Sequence, residues 1–197
     1  MPLLRPLWLT VACLGFAACR NVDSLSPALV GVSDGPALTV DAPAGFGATG
    51  GGYYDVGGLA VQFAFTAAET PGGGKAVGRF HVFADEGDGL TVDVAGEVIC
   101  VAVDPVNHHA WIGAVVTRNS STDPDLQTDI HEVGDDVWFR VLDSGEGAGA
   151  SEDRTSFIGF KGAAGIETSP EYCAARLWPA DNARTWPVTR GNISVPP

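Results

Sequence analysis

The tripeptide Asp143-Ser144-Gly145 is the arrangement of residues in this sequence that comes nearest to a known catalytic motif. Aspartic proteases carry Asp-Ser-Gly or Asp-Thr-Gly after an apolar strand, and two such carboxylates share one proton to act as acid and base. The sequence has a single copy of this motif, so a dyad would require two chains. Because Asp and Gly are also expected where a strand reverses, we interpret the tripeptide as a turn.

Four acids close together make calcium binding a second chemistry to weigh. They are Asp143, Glu146, Glu152 and Asp153, in a glycine-rich loop. Flexible loops rich in carboxylate oxygens suit Ca²⁺, but the spacing does not match the EF-hand pattern. We therefore expect a solvated acidic turn without a bound metal.

Three histidines could bind zinc or copper if a long loop folded back on a hairpin. They are His108, His109 and His131. No Cys or His spacing typical of zinc accompanies them, and neighbouring histidines on a turn are more often only polar. The sequence predicts no metal-binding, cofactor-binding or catalytic residue, and we expect a protein that is not an enzyme and has no cofactor.

Aromatic residues could instead form a flat surface for a sugar or a peptide. The candidates are Trp111, Trp138, Trp178, Trp186, Tyr53 and Tyr54. Large aromatics mostly bury surface, so we expect core and rim packing for this set. Trp178 and Trp186 lie in a proline-containing coil and are the pair expected to be exposed.

The four cysteines indicate export. Cys13 lies in a predicted signal peptide and Cys19 at its end, which leaves Cys100 and Cys173 as a pair for an oxidising compartment. A disulfide between them would close a loop of 72 intervening residues, which the chain-entropy treatment values at roughly 4 kcal/mol. The alternative is two buried free thiols.

Residues 1–18 are predicted to be a signal peptide. Arg5 precedes the apolar run Leu7–Ala18, which is too short to span a bilayer. The run ends in Phe16-Ala17-Ala18-Cys19, which resembles a bacterial lipobox, although Phe16 stands where Leu, Val or Ile is usual. We predict that Cys19 is lipidated and holds the chain at the membrane surface of the cell envelope, with plain secretion as the alternative.

Composition divides the rest of the chain into a tether and one domain. Residues 19–49 are rich in Pro, Gly, Ala and Ser and lack sustained alternation, so they are predicted to be a flexible tether with a reach of roughly 30 Å. Residues 50–197 are long enough for a core. The net charge of -13 argues against a nucleic-acid partner, because such partners require basic residues.

The domain alternates apolar and polar residues, which is typical of strands. Leu59, Val61, Phe63 and Phe65 share one face of a predicted strand, and further strands are predicted at Thr155–Phe160 and Gly191–Val195. Its centre is a predicted hairpin of Glu97–Val103 and Ala110–Val116, joined by a polar turn. The first of these strands is β-branched and continuously apolar after Glu97, so we expect it to be buried on both faces. Ser169-Pro170-Glu171 predicts the start of a short helix that carries Cys173, with Ser169 as N-cap. We predict an all-β fold, an antiparallel meander of about eight or nine strands forming a barrel or a sandwich, with one short helix near the C-terminus.

Several of these segments together show a family resemblance. They are Gly50-Gly51-Gly52, Phe63-Ala64-Phe65, the glycine turn before Gly78, Val141–Gly147, Asp153 and Gly191-Asn192-Ile193. The set resembles the post-COAP domain of bacterial secreted proteins, although Ser144 stands where Asn is more usual. The resemblance implies a β-rich, non-catalytic module and brings no site residues with it.

Our functional prediction is an exported, lipid-anchored β domain of the cell envelope that acts as a binding or structural module. Its partner would be an extracellular protein or a polysaccharide. The alternative is a β-barrel that carries a small apolar ligand in its interior, which barrels of eight strands can do.

Overall fold

A computed structural model describes residues 47–71, 74–126, 131–147, 149–177 and 184–196. The predicted signal peptide, Cys19 and nearly all of the predicted tether lie outside these residues. Trp178 lies outside them as well.

The described chain is built mainly from nine strands. They are β1 (Gly47–Val56), β2 (Leu59–Glu69), β3 (Ala76–Gly87), β4 (Leu90–Asp104), β5 (His109–Asn119), β6 (Asp136–Leu142), β7 (Arg154–Ser156), β8 (Gly159–Phe160) and β9 (Thr185–Ser194). One helix, α1 (Ser169–Ala175), precedes β9, and short 3-10 turns occupy Pro124–Leu126 and Ala163–Gly165.

Eight of the strands close into an antiparallel barrel in the order β1, β2, β3, β4, β5, β6, β7, β9, with β9 pairing back to β1. The ninth strand, β8, pairs with β6 as an addition to the barrel. This architecture confirms the predicted all-β fold with a helix near the C-terminus. Of the two predicted alternatives, a barrel and a sandwich, the structure is the barrel.

Side chains fill the inside of the barrel because apolar residues alternate along its strands. In β2, Val61, Phe63 and Phe65 point inward and are at most 6% exposed. Phe139 of β6 packs edge-on against Phe65, with ring centroids 5.3 Å apart. A remaining interior cavity beside Tyr54, Phe63 and Phe139 has a volume of about 10 Å³, which is room for roughly one water molecule.

The predicted central hairpin is present, with Asp104 opposite His109. Val101 and Val103 point into the barrel, while Ala102 between them is buried on the outside. The prediction of a strand buried on both faces holds for this part. It is wrong at Ile99, which is 37% exposed, because the register shifts between Val98 and Cys100 and leaves Ile99 as an extra residue.

Three strand predictions differ from the structure. The glycine-rich β1 was not predicted as a strand. Predicted strand Thr155–Phe160 is two short strands, β7 and β8, separated by Phe157 and Ile158. Strand β9 begins at Thr185 rather than Gly191, because its first three residues pair with β7 and the part from Val188 to Ser194 pairs with β1.

Helix α1 covers the outside of the barrel at β4, β5 and β6. Its N-cap is Thr168, whose side chain accepts a hydrogen bond from Glu171 N. The prediction of Ser169 as N-cap is therefore wrong. Ser169 lies in the first turn, fully buried, and its hydroxyl faces Ala114 O at 2.9 Å and Val137 O at 2.8 Å.

Candidate functional site

A disulfide holds the helix on the barrel. Cys100 of β4 and Cys173 of α1 are bonded, and their Cα atoms are 6.3 Å apart. This confirms the predicted pair and excludes two free thiols in this structure. The bond lies at the edge of an apolar cluster outside the barrel.

Two tryptophans and a tyrosine make up most of that outer cluster. Trp111 of β5 and Trp138 of β6 are 0% and 4% exposed. Trp138 stacks on Tyr172 of α1, with ring centroids 5.6 Å apart and 20° between the planes. Trp111 Nε1 donates a hydrogen bond to Leu177 O at 2.8 Å. Burial raises the pKa of Tyr172, so its phenol is neutral. These contacts fix the orientation of the three rings.

Beside the cluster lies a half-open cleft with a volume of about 250 Å³. We call it the aromatic cleft. Its larger lining residues are Trp138, Phe157, Phe160, Tyr172, Arg184 and Trp186. Aromatic lining with few polar groups is typical of small-molecule sites, so this cleft is the candidate site.

Four elements that are distant in sequence position the rings of the cleft. Strand β8 pairs with β6 through Val137 opposite Phe160, which places Phe160 at the rim, 37% exposed. Trp186 of β9 is half-buried and packs on Tyr54 inside the barrel, with ring centroids 6.3 Å apart. Tyr172 comes from α1. The cleft therefore exists only when the barrel is closed and the helix is in place.

The polar groups of the cleft are few. Ser156 Oγ accepts a hydrogen bond from Arg140 N at 2.9 Å and lies 2.9 Å from Phe157 O, so its hydroxyl is already engaged. Arg184, exposed just before β9, also lines the cleft and already has an interaction partner, and the described lining residues include no Asp or Glu. The described lining of the cleft is thus mainly apolar ring surface.

The aromatic set predicted from the sequence does not form one surface. Trp111, Trp138 and Tyr54 are buried, as core packing requires. Tyr53 is 37% exposed on another part of the barrel, where the Arg190 guanidinium lies 5.6 Å from its ring centroid. Trp186 does line the cleft. Phe157, Phe160 and Tyr172, which the sequence reasoning missed, complete it, and the position of Tyr172 beside Cys173 was the available signal.

The acidic turn stabilises the backbone. Asp143 accepts hydrogen bonds from Gly145 N at 2.8 Å and Val195 N at 2.9 Å. Asp153 accepts them from Ser144 N at 2.9 Å and Ile193 N at 2.7 Å. The Asp-Ser-Gly tripeptide is therefore a turn whose aspartate holds the C-terminal strand.

The remaining acids of this turn, Glu146 and Glu152, are exposed. Across the described ranges, no group of three or more His, Cys, Asp or Glu residues is arranged to hold a metal ion.

The three histidines lie in two separate places. At the β4–β5 hairpin, His108 Nδ1 is 3.2 Å from Val195 O, and buried His109 packs edge-on against Trp111. His131 is 3% exposed and packs perpendicular to Phe160, with ring centroids 5.9 Å apart. Within the described residues neither ring nitrogen of His131 has a hydrogen-bond partner.

A His-Asp pair that the sequence reasoning missed lies on the outer surface of β3, β4 and β5. His81 Nε2 is 2.8 Å from Asp93 Oδ1, and Arg118 donates two hydrogen bonds of 2.9 Å to the same carboxylate. The Arg118 hydrogen bonds chiefly lower the pKa of Asp93. A carboxylate paired in this way is a weak base, so we interpret the group as a surface ion-pair network.

Ser33 lies in a Gly-x-Ser-x-Gly pentapeptide, Gly31–Gly35, the spacing of the nucleophile in α/β-hydrolases. That motif operates at a strand-to-helix turn of an α/β sheet, whereas the strands described here form an antiparallel barrel. Ser33 is outside the described residues, and we assign it no catalytic role.

Among the described residues, no helix has the length and apolar character needed to cross a membrane. The resemblance to the post-COAP domain stays a prediction. No family model, no curated protein and no solved structure matches this chain.

Proposed function

We propose that this protein is an exported, lipid-anchored module of the bacterial cell envelope that binds its partner on the outside of a rigid barrel, through the aromatic cleft, without catalysing a reaction. The observation that carries the proposal is the contrast between the two apolar regions. The barrel interior is filled by side chains, whereas outside it Phe160, which is 37% exposed, lines the half-open aromatic cleft.

The packed interior favours this module over a carrier of apolar ligands. Pockets for small molecules usually measure roughly 300–1,000 Å³. The interior cavity beside Tyr54, Phe63 and Phe139 measures about 10 Å³. A carrier would need several core side chains to move, at a cost of packing energy.

The disulfide agrees with an oxidising compartment, because such bonds persist mainly outside the cytosol. Export and the lipid at Cys19 rest on the sequence pattern of residues 1–19. A lipid at Cys19 followed by a flexible tether would hold the barrel near the membrane while leaving its sides accessible.

Replacing Cys19 tests the anchor. We expect Cys19→Ala to lose lipid attachment, so that intact-mass analysis shows no diacylglycerol adduct and membrane fractions no longer retain a processed chain. Cys13→Ala is the matched control, since Cys13 lies in the predicted signal peptide, and it should leave the mature protein unchanged. Normal processing and lipid attachment in Cys19→Ala would refute the anchor.

Solvent extraction separates the module from the carrier. Organic solvent removes a lipid that is bound non-covalently but leaves a thioether-linked lipid on the chain. Mass spectrometry of the extract should show no apolar compound near one equivalent per chain. A stoichiometric lipid in the extract would favour the carrier instead.

A further inference from the structure

We propose that Cys100 is a site of thiol–disulfide exchange: a small thiol reaches it through a surface cleft, opens the Cys100–Cys173 disulfide from that side and so loosens α1 on the barrel. The exchange goes beyond the proposed function, because it requires neither a lipid anchor nor a bound ligand.

The cleft lies beside β4, on the side away from β5. We call it the β3–β4 cleft. It is half-open, has a volume of about 180 Å³, and is lined by the end of β2, the start of β3 and residues Ile99, Cys100 and Val101 of β4. The pairing of β3 with β4 ends at Arg79 opposite Glu97. Beyond that pair the two strands separate, and the gap between them brings solvent to Cys100.

The two cysteines of the disulfide differ in their surroundings. Cys173 is 6% exposed, and its Sγ lies 3.6 Å from Trp111 O, between α1 and β5. Cys100 is half-buried and lines the β3–β4 cleft. Access is one of the factors that decide which sulfur of a disulfide a thiolate attacks. An external thiol therefore reaches Cys100 and not Cys173.

The direction of approach also favours Cys100. A thiolate forms its new bond on the side of the attacked sulfur that is opposite to the leaving sulfur. Helix α1 packs on β4, β5 and β6, so it brings Cys173 to Cys100 from the side of β5. The β3–β4 cleft lies on the other side of β4. A thiol that enters the cleft thus meets Cys100 opposite to Cys173.

Full reduction of the bond takes a dithiol. Its first thiolate attacks Cys100 Sγ and forms a mixed disulfide, while the Cys100–Cys173 bond breaks and Cys173 leaves as a thiolate that takes up a proton. The second thiolate of the reductant then attacks the reductant sulfur of the mixed disulfide, and Cys100 leaves and is protonated. The protein gains two electrons and two protons, and the reductant departs as a cyclic disulfide.

Opening the bond changes the attachment of α1. The buried hydroxyl of Ser169 and the stacking of Tyr172 on Trp138 remain as its contacts with the barrel. Because Tyr172 lines the aromatic cleft, reduction would also loosen one wall of that site. This last consequence rests on the proposed function, whereas the exchange at Cys100 does not.

Trapping the first intermediate tests the direction of attack in the parent protein. The full-length chain is treated briefly with 2-mercaptoethanol, a monothiol, quenched with acid and mapped by peptide mass spectrometry, which separates Cys100 and Cys173 from Cys13 and Cys19. We expect the mercaptoethanol adduct on Cys100 to exceed the adduct on Cys173 by about tenfold or more, because the cleft leads to Cys100 alone.

Filling the cleft tests the route. Ile99 is 37% exposed and lines the cleft, whereas Val77 of β3 is 53% exposed and is not part of its described lining. Ile99→Trp should slow reduction by dithiothreitol about fivefold or more, since the larger side chain obstructs the approach to Cys100. Val77→Trp is the matched control and should be reduced at the parental rate. Circular dichroism of the oxidised proteins verifies that both variants are folded.

The concentration dependence separates attack on the folded protein from attack after unfolding. In the parent protein the rate of reduction should rise in proportion to the dithiothreitol concentration and stay unchanged in dilute urea, because the folded protein itself is attacked. A rate that levels off with dithiothreitol and increases steeply with urea would mean that only the unfolded chain reacts.

The inference is overturned if the adduct forms equally on both cysteines or mainly on Cys173, if Ile99→Trp is reduced as fast as Val77→Trp, or if only the unfolded chain reacts. These outcomes are independent of the Cys19→Ala experiment and of the solvent extraction. If the anchor fails and the adduct forms on Cys100, the exchange site stands and the envelope assignment is wrong. If the anchor is confirmed and the adduct forms on Cys173, the envelope module stands and the exchange site is wrong.

Discussion

His131 is a buried side chain with an unusual backbone, since its φ of 66° lies in the left-handed region. Asn119 Nδ2 donates a hydrogen bond to its carbonyl oxygen at 2.9 Å, which ties the end of a polar loop to β5. Burial lowers the pKa of His131, and the negative charge of Asp135 opposes this shift only in part. The ring is therefore neutral at pH 7.

Because His131 is buried and its pKa is lowered, the free energy of unfolding should depend on pH. In the unfolded chain His131 takes up a proton near pH 6.5, whereas the folded protein resists protonation. The unfolded state thus binds more protons below about pH 6.5, and stability falls as pH decreases from there toward the lowered folded pKa, by at most about 1.4 kcal/mol per pH unit.

His131→Asn should remove this slope, because Asn does not titrate and tolerates the left-handed region. His108→Asn is the matched control, since His108 has a φ of 52° but is only half-buried. Urea unfolding at pH 5.5, 6.5 and 7.5 measures the slope for each protein. A slope in His131→Asn equal to that of the parent protein would contradict the assignment.

At the scale of elements, α1 depends on contacts that local sequence does not supply. A helix of seven residues is too short to be stable alone. The disulfide, the buried hydroxyl of Ser169 and the stacking of Tyr172 on Trp138 hold it on the barrel. Removing any one of these three contacts should weaken the packing of α1 on the barrel while the barrel itself stays folded.

Replacing both cysteines tests this dependence. We expect Cys100→Ala/Cys173→Ala to lower the free energy of unfolding by roughly 4 kcal/mol, the loop-closure value for a link of this separation. Because α1 covers Trp138, tryptophan emission should shift to longer wavelength while far-ultraviolet circular dichroism keeps its β signal. Chemical reduction of the parent protein should reproduce the shift. Unchanged emission would show that the helix stays in place without the bond.

Sequence reasoning succeeded for elements whose signal is local. The alternation through Phe63 and Phe65 predicted β2, and the arithmetic of exported cysteines predicted the Cys100–Cys173 bond. It failed for β1, because strand pairing rather than side-chain pattern makes Gly50-Gly51-Gly52 a strand. It also failed for the aromatic cleft, since Phe160, Tyr172 and Trp186 meet only through the tertiary fold.

At the scale of the whole molecule, closure of the barrel could not be decided from the sequence. Strand β7 has three residues, and only two register pairs join it to β6. Side chains of the 143–153 turn reinforce the barrel where β7 lies between β6 and β9. Asp143 accepts a hydrogen bond from Val195 N, and Asp153 accepts one from Ile193 N. A sandwich and a barrel have the same alternation of apolar and polar residues along their strands. Long-range contacts such as these therefore decide which of the two folds forms.

The junction between β1 and β9 also closes the barrel, and glycine makes it possible. Gly52 and Gly191 are opposite each other in the register. Gly191 has a φ of 118°, and a Cβ on it would overlap the backbone of Gly51 and Gly52. Substitution there combines backbone strain with a steric clash, whereas at Gly149, with a φ of 101° and nothing within 4 Å, it brings strain alone.

Gly191→Ala should therefore destabilise the whole barrel more than Gly149→Ala does. We expect Gly149→Ala to cost about 1–2 kcal/mol and Gly191→Ala about 2 kcal/mol more, because β1 and β9 must separate to admit the methyl group. Urea unfolding measures the difference, and hydrogen exchange should quicken along β1 and β9 in Gly191→Ala alone. Equal stabilities of the two variants would mean that the β1–β9 junction accommodates the methyl group without loss of stability. Other contacts would then keep the barrel closed.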